Sequence, residues 1–189
     1  MTRDDILEAA AQIFSQKGFH ATSMQDIAQA VNLQKGSLYH HIKNKQEILV
    51  DVLNQALDML IDNMRAVIER PLPPDEKLRE SMHVYLQTML DNRDLAAVLL
   101  LEHRSLEPEL RARHIPRRDD FERLWRDLIQ EGCEQGVFSC EQPAIVARAL
   151  LGVMNWTITW YRPDGRLSAL EIAEYFADLF LYGLLTRSA

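Results

Sequence analysis

Cationic, hydroxyl and aromatic side chains are concentrated in one short stretch of the sequence. The run Lys-Gly-Ser-Leu-Tyr-His-His begins at Lys35, Lys43 and Lys45 follow it, and no acidic residue lies between Asp26 and Glu47. Lysine, serine and tyrosine donate hydrogen bonds to phosphates and to base edges in nucleic-acid complexes. The residue types therefore indicate a surface that binds a polyanion.

The pattern around this stretch predicts two short helices that position it. Thr22-Ser23-Met24-Gln25 has the form of a capping box, in which the Thr22 hydroxyl accepts a backbone N–H and Gln25 reaches back. The helix that starts there is predicted to end at Asn32, which tolerates the left-handed conformation. A second short helix is predicted from about Lys35 to Ile42. Two short helices joined by a turn of three or four residues form a helix-turn-helix.

In a helix-turn-helix, the N-terminal part of the second helix presents its side chains to the major groove of DNA. Lys35 and Ser37 are predicted to donate to bases or phosphates, and Gly36 lets the backbone come close. Thr22 and Lys45 are placed at helix N-termini, where free N–H groups favour a phosphate. The predicted DNA-binding residues are Thr22, Ser23, Lys35, Gly36, Ser37, Tyr39, His40, His41 and Lys45.

The first 50 residues resemble the TetR family of transcriptional regulators in residue type, spacing and helix order. The matching features are Lys17-Gly18-Phe19 at the end of a leading helix, a Thr-capped second helix with Ile27-Ala28, the Gly36–His41 segment and Lys45 at the start of a fourth helix. The resemblance implies an all-α fold of about nine helices. A three-helix DNA-binding domain at 1–46 would precede an effector-binding and dimerisation domain at 47–189. It also implies a repressor that a small molecule releases from its operator.

The rest of the chain is predicted to be helical, because Gly and Pro lie between periodic segments and no alternating apolar pattern indicates a strand. Asn44 with Glu47 caps a long helix, which ends at Arg70 before the Pro71–Pro74 segment. Ser168 with Glu171 forms another capping box. The further predicted helices span about 75–91, 93–103, 107–135, 142–162 and 168–186.

The last two helices are apolar over more than one face, so each requires partners on two sides. Only Arg148, Asn155, Thr157 and Thr159 interrupt the apolar residues from Ala144 to Trp160. The resemblance implies a four-helix bundle formed by two helices from each of two subunits. This predicts a two-fold symmetric homodimer, which also matches a palindromic operator with two half-sites.

Polar and aromatic side chains within this apolar half are candidates for the effector site, since the family keeps its effector between these helices. Buried Trp and Asn require partners for their polar atoms, and satisfaction within the core is the alternative for each. The predicted ligand-binding residues are Leu99, Glu102, His103, Phe121, Trp125, Asn155, Trp156, Thr159 and Trp160.

Two effector classes are open at this stage. The segments Leu101–Arg111 and Trp160–Pro163 are similar to the branch of the family that senses coenzyme A thioesters and controls fatty-acid or steroid-ring degradation. A basic cluster suits phosphates or a carboxylate, or else is a solvated helix face with glutamate neighbours: Arg111, Arg113, His114, Arg117 and Arg118. The alternative is a multidrug sensor of an efflux system, in which Trp156, Trp160 and Tyr161 hold an aromatic cation.

The distribution of charge and the absence of known motifs restrict the functions that the chain is predicted to have. The net charge is −7, but residues 1–50 hold five Lys/Arg and five Asp/Glu, so the acidic excess lies beyond them. No phosphate loop, nucleophile motif or metal-ligand spacing is present, which predicts neither an enzyme nor a metal or cofactor site.

Cysteine use and hydropathy predict a cytoplasmic protein without a membrane partner. Cys133 and Cys140 lie seven residues apart without a CxxC pair, and are predicted to be free thiols in a reducing compartment. The N-terminus lacks the order of a signal peptide, and the most apolar stretch, Pro143–Trp160, carries Arg148 and Asn155.

Overall fold

The computed structural model describes residues 2–184 and has nine α-helices in that range, as the all-α prediction requires. The helices are α1 (Arg3–Lys17), α2 (Met24–Ala30), α3 (Lys35–His41), α4 (Lys45–Ile68), α5 (Pro74–Asp91), α6 (Arg93–Leu101), α7 (Pro108–Glu134), α8 (Pro143–Trp160) and α9 (Ala169–Leu184). A short 3₁₀ turn, His103–Ser105, follows α6. Among the described residues, none of the helices combines the length and apolarity needed to cross a bilayer.

The described chain forms two compact units. The first unit comprises the chain up to Asp58 together with Asn92–Arg117. The second unit comprises Met59–Asp91 together with the described chain from Arg118 onward. The predicted functional boundary at residue 46 lies inside the first unit and stays a prediction.

Helix α1 organises the first unit and packs against α2 and α6. Its stripe at Ile6, Ala10 and Phe14 is buried, because steps of four residues return to the same face of a helix. Thr2 and Asp5 form a capping box at its start. Gly18 ends it at φ 82°, a conformation that favours glycine.

The capping box of α2 lies one residue beyond the predicted position. The Ser23 hydroxyl accepts from the Asp26 N–H at 3.2 Å, and the Asp26 carboxylate accepts from the Ser23 N–H at 2.7 Å. Thr22 does not cap the helix, because its hydroxyl donates to the Gly18 carbonyl at 2.9 Å. The prediction of a Thr22–Gln25 box is therefore wrong, although the helix begins where it was expected.

The turn between α2 and α3 is set by Asn32, which adopts φ 54° as predicted. The Leu33 N–H then donates to the Ala28 carbonyl at 2.8 Å, which closes the end of α2. This turn directs the chain into α3 and completes a helix-turn-helix.

The second unit is held together by the packing of α5 against α9. Leu78, Met82 and Leu86 of α5 are fully buried, and each such side chain contributes roughly 1.5–3 kcal/mol relative to exposure. At the margin of the contact, Arg79 pairs with Glu174 and Asp178. The expected Ser168–Glu171 box at the end of the α8–α9 loop is present.

Cys133 and Cys140 form a disulfide in the second unit, with Cα atoms 6.5 Å apart. The prediction of two free thiols is therefore wrong for this structure. The reason is local geometry: the chain reverses at Gly136, where φ is 71°, and brings positions seven residues apart side by side.

Candidate nucleic-acid interface and aromatic core

Helix α3 has one buried side and one exposed side. Leu38 and Ile42 are buried in the first unit and anchor the helix, as their spacing of four residues predicts. The predicted DNA-binding residues Lys35, Gly36, Ser37, Tyr39 and His40 are all exposed. The side chain of His41 lies outside the described part of the structure. This arrangement leaves donor groups and an aromatic ring free to contact a duplex.

Gly36 lies on the exposed side of α3, and a methyl group at its Cα would meet no atom within 4 Å. We therefore expect Gly36→Ala to keep or slightly raise Tm, since alanine is favoured over glycine in helices by about 1 kcal/mol. Operator affinity should nevertheless fall about tenfold if the backbone closely approaches DNA and each recognition helix loses about 0.7 kcal/mol. Differential scanning fluorimetry and fluorescence anisotropy measure the two effects. Unchanged affinity would contradict a close approach at Gly36.

The other three predicted DNA contacts are engaged in hydrogen bonds at the α1–α2 connection: Thr22, Ser23 and Lys45. The Thr22 side chain is only 2% exposed, and Ser23 serves as the helix cap. The Lys45 ammonium donates to the carbonyls of Thr22 at 2.6 Å and Phe19 at 2.7 Å, and lies 4.4 Å from the centre of the Phe19 ring. Burial lowers the pKa of Lys45, with an opposing contribution from Asp26. Lys45 thus fixes the loop that precedes α2.

Lys45→Ala should lower both stability and operator affinity. It removes the donor from two carbonyls and the cation from the Phe19 ring, a loss of about 1–3 kcal/mol in the free energy of unfolding. Lys43→Ala is the matched control, because the Lys43 side chain is exposed and the hydrogen bond to Glu47 at 2.8 Å is donated by the Lys43 backbone N–H, which the substitution keeps. Urea denaturation compares them. Equal midpoints for the two variants would rule out a bracing role for Lys45.

The cap of α2 makes the stability of the first unit depend on pH. The Ser23 N–H, the Lys17 ammonium at 3.0 Å and the Ser23 hydroxyl lower the pKa of Asp26 to about 2. A carboxyl whose pKa is lowered on folding stabilises the fold above its ordinary value, 3.8, and this contribution disappears as pH falls through about 2. Asp26→Asn should therefore be less stable than the wild type at pH 6 and converge with it near pH 2. A constant difference in Tm across this range would contradict the assignment.

The segment after α6 is tied to the helix-turn-helix within the first unit. The Glu102 carboxylate accepts from the Phe19 N–H at 3.2 Å and from the Ser105 hydroxyl at 2.8 Å. The Gln46 amide donates to the Ser105 carbonyl at 3.0 Å and accepts from the Glu107 N–H at 3.1 Å. Gln46 was not predicted from the sequence, because its neutral side chain carries no distinctive signal.

The three ligand candidates of the first unit differ in environment. Leu99 is buried in α6, while His103 lies in the 3₁₀ turn and is partly exposed. The Glu102 carboxylate is occupied by Phe19 and Ser105. A ligand role for these three residues remains a prediction.

Three of the predicted ligand residues meet in the second unit, around Tyr85, which was not predicted from the sequence. The Tyr85 hydroxyl donates to the Asn155 side-chain oxygen at 2.5 Å. The Tyr85 ring stacks on Phe121 with centroids 5.8 Å apart and meets Trp125 edge-on at 5.6 Å. We call these four residues the aromatic core. Tyr85 shares its helix face with Met82 and Met89, so the helical spacing of the apolar residues in α5 was a signal that could have predicted its burial.

The aromatic core contains one buried polar group without a partner. Trp125 has no exposed surface, and its indole N–H finds no acceptor among the described residues. Burial raises the pKa of the Tyr85 hydroxyl, with an opposing contribution from Arg118, so this group stays a neutral donor. A buried donor without an acceptor is rare, so the Trp125 N–H is an exception within this core.

Trp156, Thr159 and Trp160 lie outside the aromatic core, and their side chains are exposed. The Thr159 hydroxyl donates to the Trp156 carbonyl at 2.7 Å. Large exposed apolar side chains lie along one side of α8 and one side of α9, and together we call them the α8–α9 face: Ile145, Trp156, Trp160, Tyr175, Leu179 and Tyr182. Such a concentration of apolar surface is typical of a protein interface.

Three of the four arginines of the predicted basic cluster are engaged by protein groups in the first unit. Arg111 donates to the carbonyls of Arg104 and Leu106 at 2.5 and 2.8 Å. Arg113 pairs with Glu109 one helical turn away. Arg117 pairs with Asp58. These pairings agree with the alternative of a helix face neutralised by its neighbours, and they do not support a phosphate site.

The fold and the exposed side of α3 define a helix-turn-helix DNA-binding regulator. Residues 6–52 match the family described as "Bacterial regulatory proteins, tetR family", and residues 71–184 match "Tetracyclin repressor-like, C-terminal domain". The chain belongs to the TetR family of transcriptional regulators. It is 27% identical over 184 residues to the transcriptional repressor KstR2 of Mycobacterium tuberculosis, which is a regulator and not an enzyme.

Similar proteins of known structure cover almost the whole chain. The TetR family regulator PfmR from Thermus thermophilus is 40% identical, with a TM-score of 0.87 and coverage of 94% of this chain and 97% of that one. The ketosteroid regulator KstR2 of Mycobacterium tuberculosis is 26% identical, with a TM-score of 0.88 and coverage of 98% and 95%. AibR, solved with isovaleryl coenzyme A and operator DNA, is 30% identical, with a TM-score of 0.83 and coverage of 97% of both chains.

Proposed function

We propose that this protein is a homodimeric repressor in the cytoplasm that binds a palindromic operator and leaves it when an acyl-CoA thioester binds. The observation that carries the proposal is the exposed side of α3, with Lys35, Ser37 and Tyr39 held outward by buried Leu38 and Ile42. These groups donate to phosphates and base edges, while the anchors fix their direction.

Dimerisation rests on the α8–α9 face. Trp156 and Leu179 are each 67% exposed in the single chain, and Tyr182 is 73% exposed. Burial of apolar side chains of this size stabilises an interface, and in a two-fold symmetric dimer the same residues of both subunits are buried. The face therefore joins two copies, and the two recognition helices fill two half-sites of one palindrome.

The effector proposal rests on the aromatic core and on AibR, a relative solved with isovaleryl coenzyme A and operator DNA. The Trp125 N–H is a neutral donor in an apolar setting, which suits the carbonyl oxygen of a thioester. The stacked rings of Phe121 and Tyr85 give the same site an apolar environment, which an acyl chain requires. A cation would leave the Trp125 N–H without an acceptor, so these residues favour an acyl-CoA over the aromatic cation of a multidrug sensor.

The DNA half of the proposal is tested by selection from a random duplex library. The purified protein should enrich an inverted repeat whose half-site centres are about 34–36 Å apart, one helical turn. Binding should weaken steeply between about 50 and 200 mM salt, since phosphate contacts release counterions. Enrichment of no sequence, or of a single unrepeated half-site, would refute a dimeric operator-binding protein.

The effector half is tested with a panel of acyl-CoAs, with free coenzyme A, free fatty acids and a cationic dye as comparisons. One chain-length class should release the selected duplex and raise Tm, by an amount that grows with ligand concentration. Trp125→Phe should weaken that response about five- to tenfold, because it removes the N–H donor while keeping an aromatic ring in the aromatic core. Release by the dye alone would replace the acyl-CoA with a cationic effector.

A further inference from the structure

Backbone hydrogen bonds at the end of α7 reverse the chain between the two disulfide-bonded cysteines. The N–H groups of Val137 and Phe138 both donate to the Gly132 carbonyl, at 2.9 and 3.0 Å, and the Gly136 N–H donates to the Cys133 carbonyl at 3.1 Å. These bonds close the C-terminal turn of α7 and reverse the chain.

Packing supports the same reversal. Phe138 is buried and lies directly on Gly132, where a methyl group would overlap its ring. Phe138 therefore anchors the returning segment to the last turn of α7. Cys133 lies within that turn and Cys140 follows the anchor, so backbone and ring contacts accompany the disulfide in holding their Cα atoms 6.5 Å apart. This distance lies in the range that a disulfide spans, about 4.4–6.8 Å.

Both cysteines are partly exposed, which gives small oxidants access to them. A reducing cytoplasm keeps most cysteine pairs in the reduced dithiol form, and intracellular disulfides that do form are mainly transient, and catalytic or redox-sensing. A pair that is pre-positioned and accessible closes rapidly on oxidation, because little chain entropy is lost when the second sulfur approaches.

We propose that Cys133 and Cys140 form a reversible redox site, a dithiol in the reducing cytoplasm that a peroxide converts to the disulfide of this structure. One thiolate attacks a peroxide oxygen, the O–O bond breaks, and a sulfenic acid and water (or an alcohol) form. The second thiol then attacks the sulfenic sulfur, the S–S bond forms, and a second water leaves. The two sulfurs supply the two electrons that reduce the peroxide.

The disulfide links the helix that carries Phe121 and Trp125 to the segment that enters α8, the helix that carries Asn155. Closure thus restrains two of the helices that form the aromatic core. The inference rests on the proposed cytoplasmic location, and its chemistry is independent of DNA or effector binding.

The test treats protein purified in reductant with hydrogen peroxide, followed by alkylation, intact-mass measurement and thermal denaturation. We expect both thiols to lose reactivity together, the mass to fall by two hydrogens, and dithiothreitol to reverse both changes. Closing this short loop should raise Tm by about 5–10 °C. Cys133→Ser with Cys140→Ser, exposed to the same peroxide, controls for methionine oxidation and should show no shift in Tm.

Gly132→Ala tests the positioning argument, because it displaces Phe138 without touching either sulfur. It should slow intrachain disulfide formation by at least about tenfold, and unchanged closure would contradict the argument. Stable sulfinic acid, disulfides between chains or unpaired thiols would each overturn the proposal. Operator binding by the reduced protein is measured in parallel. Its absence would refute the proposed function, whereas failure of thiol pairing with intact operator binding would refute only the redox site.

Discussion

Leu179→Glu is expected to separate the dimer and to lower operator affinity by at least about a hundredfold. Leu179 is 67% exposed on the α8–α9 face, and a two-fold axis places each substitution in the interface twice. The variant loses the burial of two leucines, roughly 3–6 kcal/mol, and must also desolvate two carboxylates. Sedimentation velocity at micromolar concentration measures the association. Anisotropy with the selected duplex measures the operator affinity.

Leu101→Glu is the matched control for this prediction. Leu101 is 64% exposed, close to the value for Leu179, but it lies on α6 in the first unit and does not belong to the α8–α9 face. The Leu101→Glu variant should remain dimeric and bind the operator with wild-type affinity. Circular dichroism separates dissociation from unfolding, and Leu179→Ala offers a milder version of the same change. Dimeric Leu179→Glu protein with normal helix content would show that this face is not the interface.

Tyr39→Ala is expected to lower operator affinity by about 30- to 100-fold and to leave Tm within about 1 °C of the wild type. Tyr39 is 45% exposed on α3, so its loss does not disturb the core, unlike the loss of Leu38. Each recognition helix would lose a hydrogen bond to DNA and a ring contact, about 1–1.5 kcal/mol, and the dimer has two such helices.

Tyr39→Phe separates the two parts of this contact. It keeps the ring and removes the hydroxyl, so it should fall between the wild type and Tyr39→Ala if the hydroxyl donates to a phosphate. Fluorescence anisotropy on specific and scrambled duplexes tells whether the loss is uniform, as a phosphate contact requires, or sequence-dependent. Wild-type affinity for Tyr39→Ala would remove this residue from the interface.

The local pattern of the sequence determined the helices and the helix-turn-helix. The spacing of Leu38 and Ile42 was enough to orient α3, because a 3.6-residue period fixes which side chains share a face. The conformation of Asn32 followed from its residue type. The resemblance to the TetR family, which the matches at residues 6–52 and 71–184 confirmed, rests on the same local features.

Tertiary structure decided which polar groups are already engaged. Lys45 has the residue type of a phosphate contact, yet its ammonium lies on the Phe19 and Thr22 carbonyls, which only the folded α1–α2 connection brings together. Glu102 is likewise occupied by Phe19, more than 80 positions earlier in the chain. Sequence spacing carries no information about partners so distant, since loop geometry selects them.

Tertiary structure also determines which aromatic residues are buried within the chain and brings the two cysteines together. Trp125 and Trp156 are chemically identical, but one is enclosed by Tyr85 and Phe121 and the other is exposed on the α8–α9 face. Residue type predicts that an indole tends to be buried, whereas helix packing determines whether its burial occurs within the chain or against a partner. The seven-residue spacing of Cys133 and Cys140 carried no pairing signal until the reversal at Gly136 set them side by side.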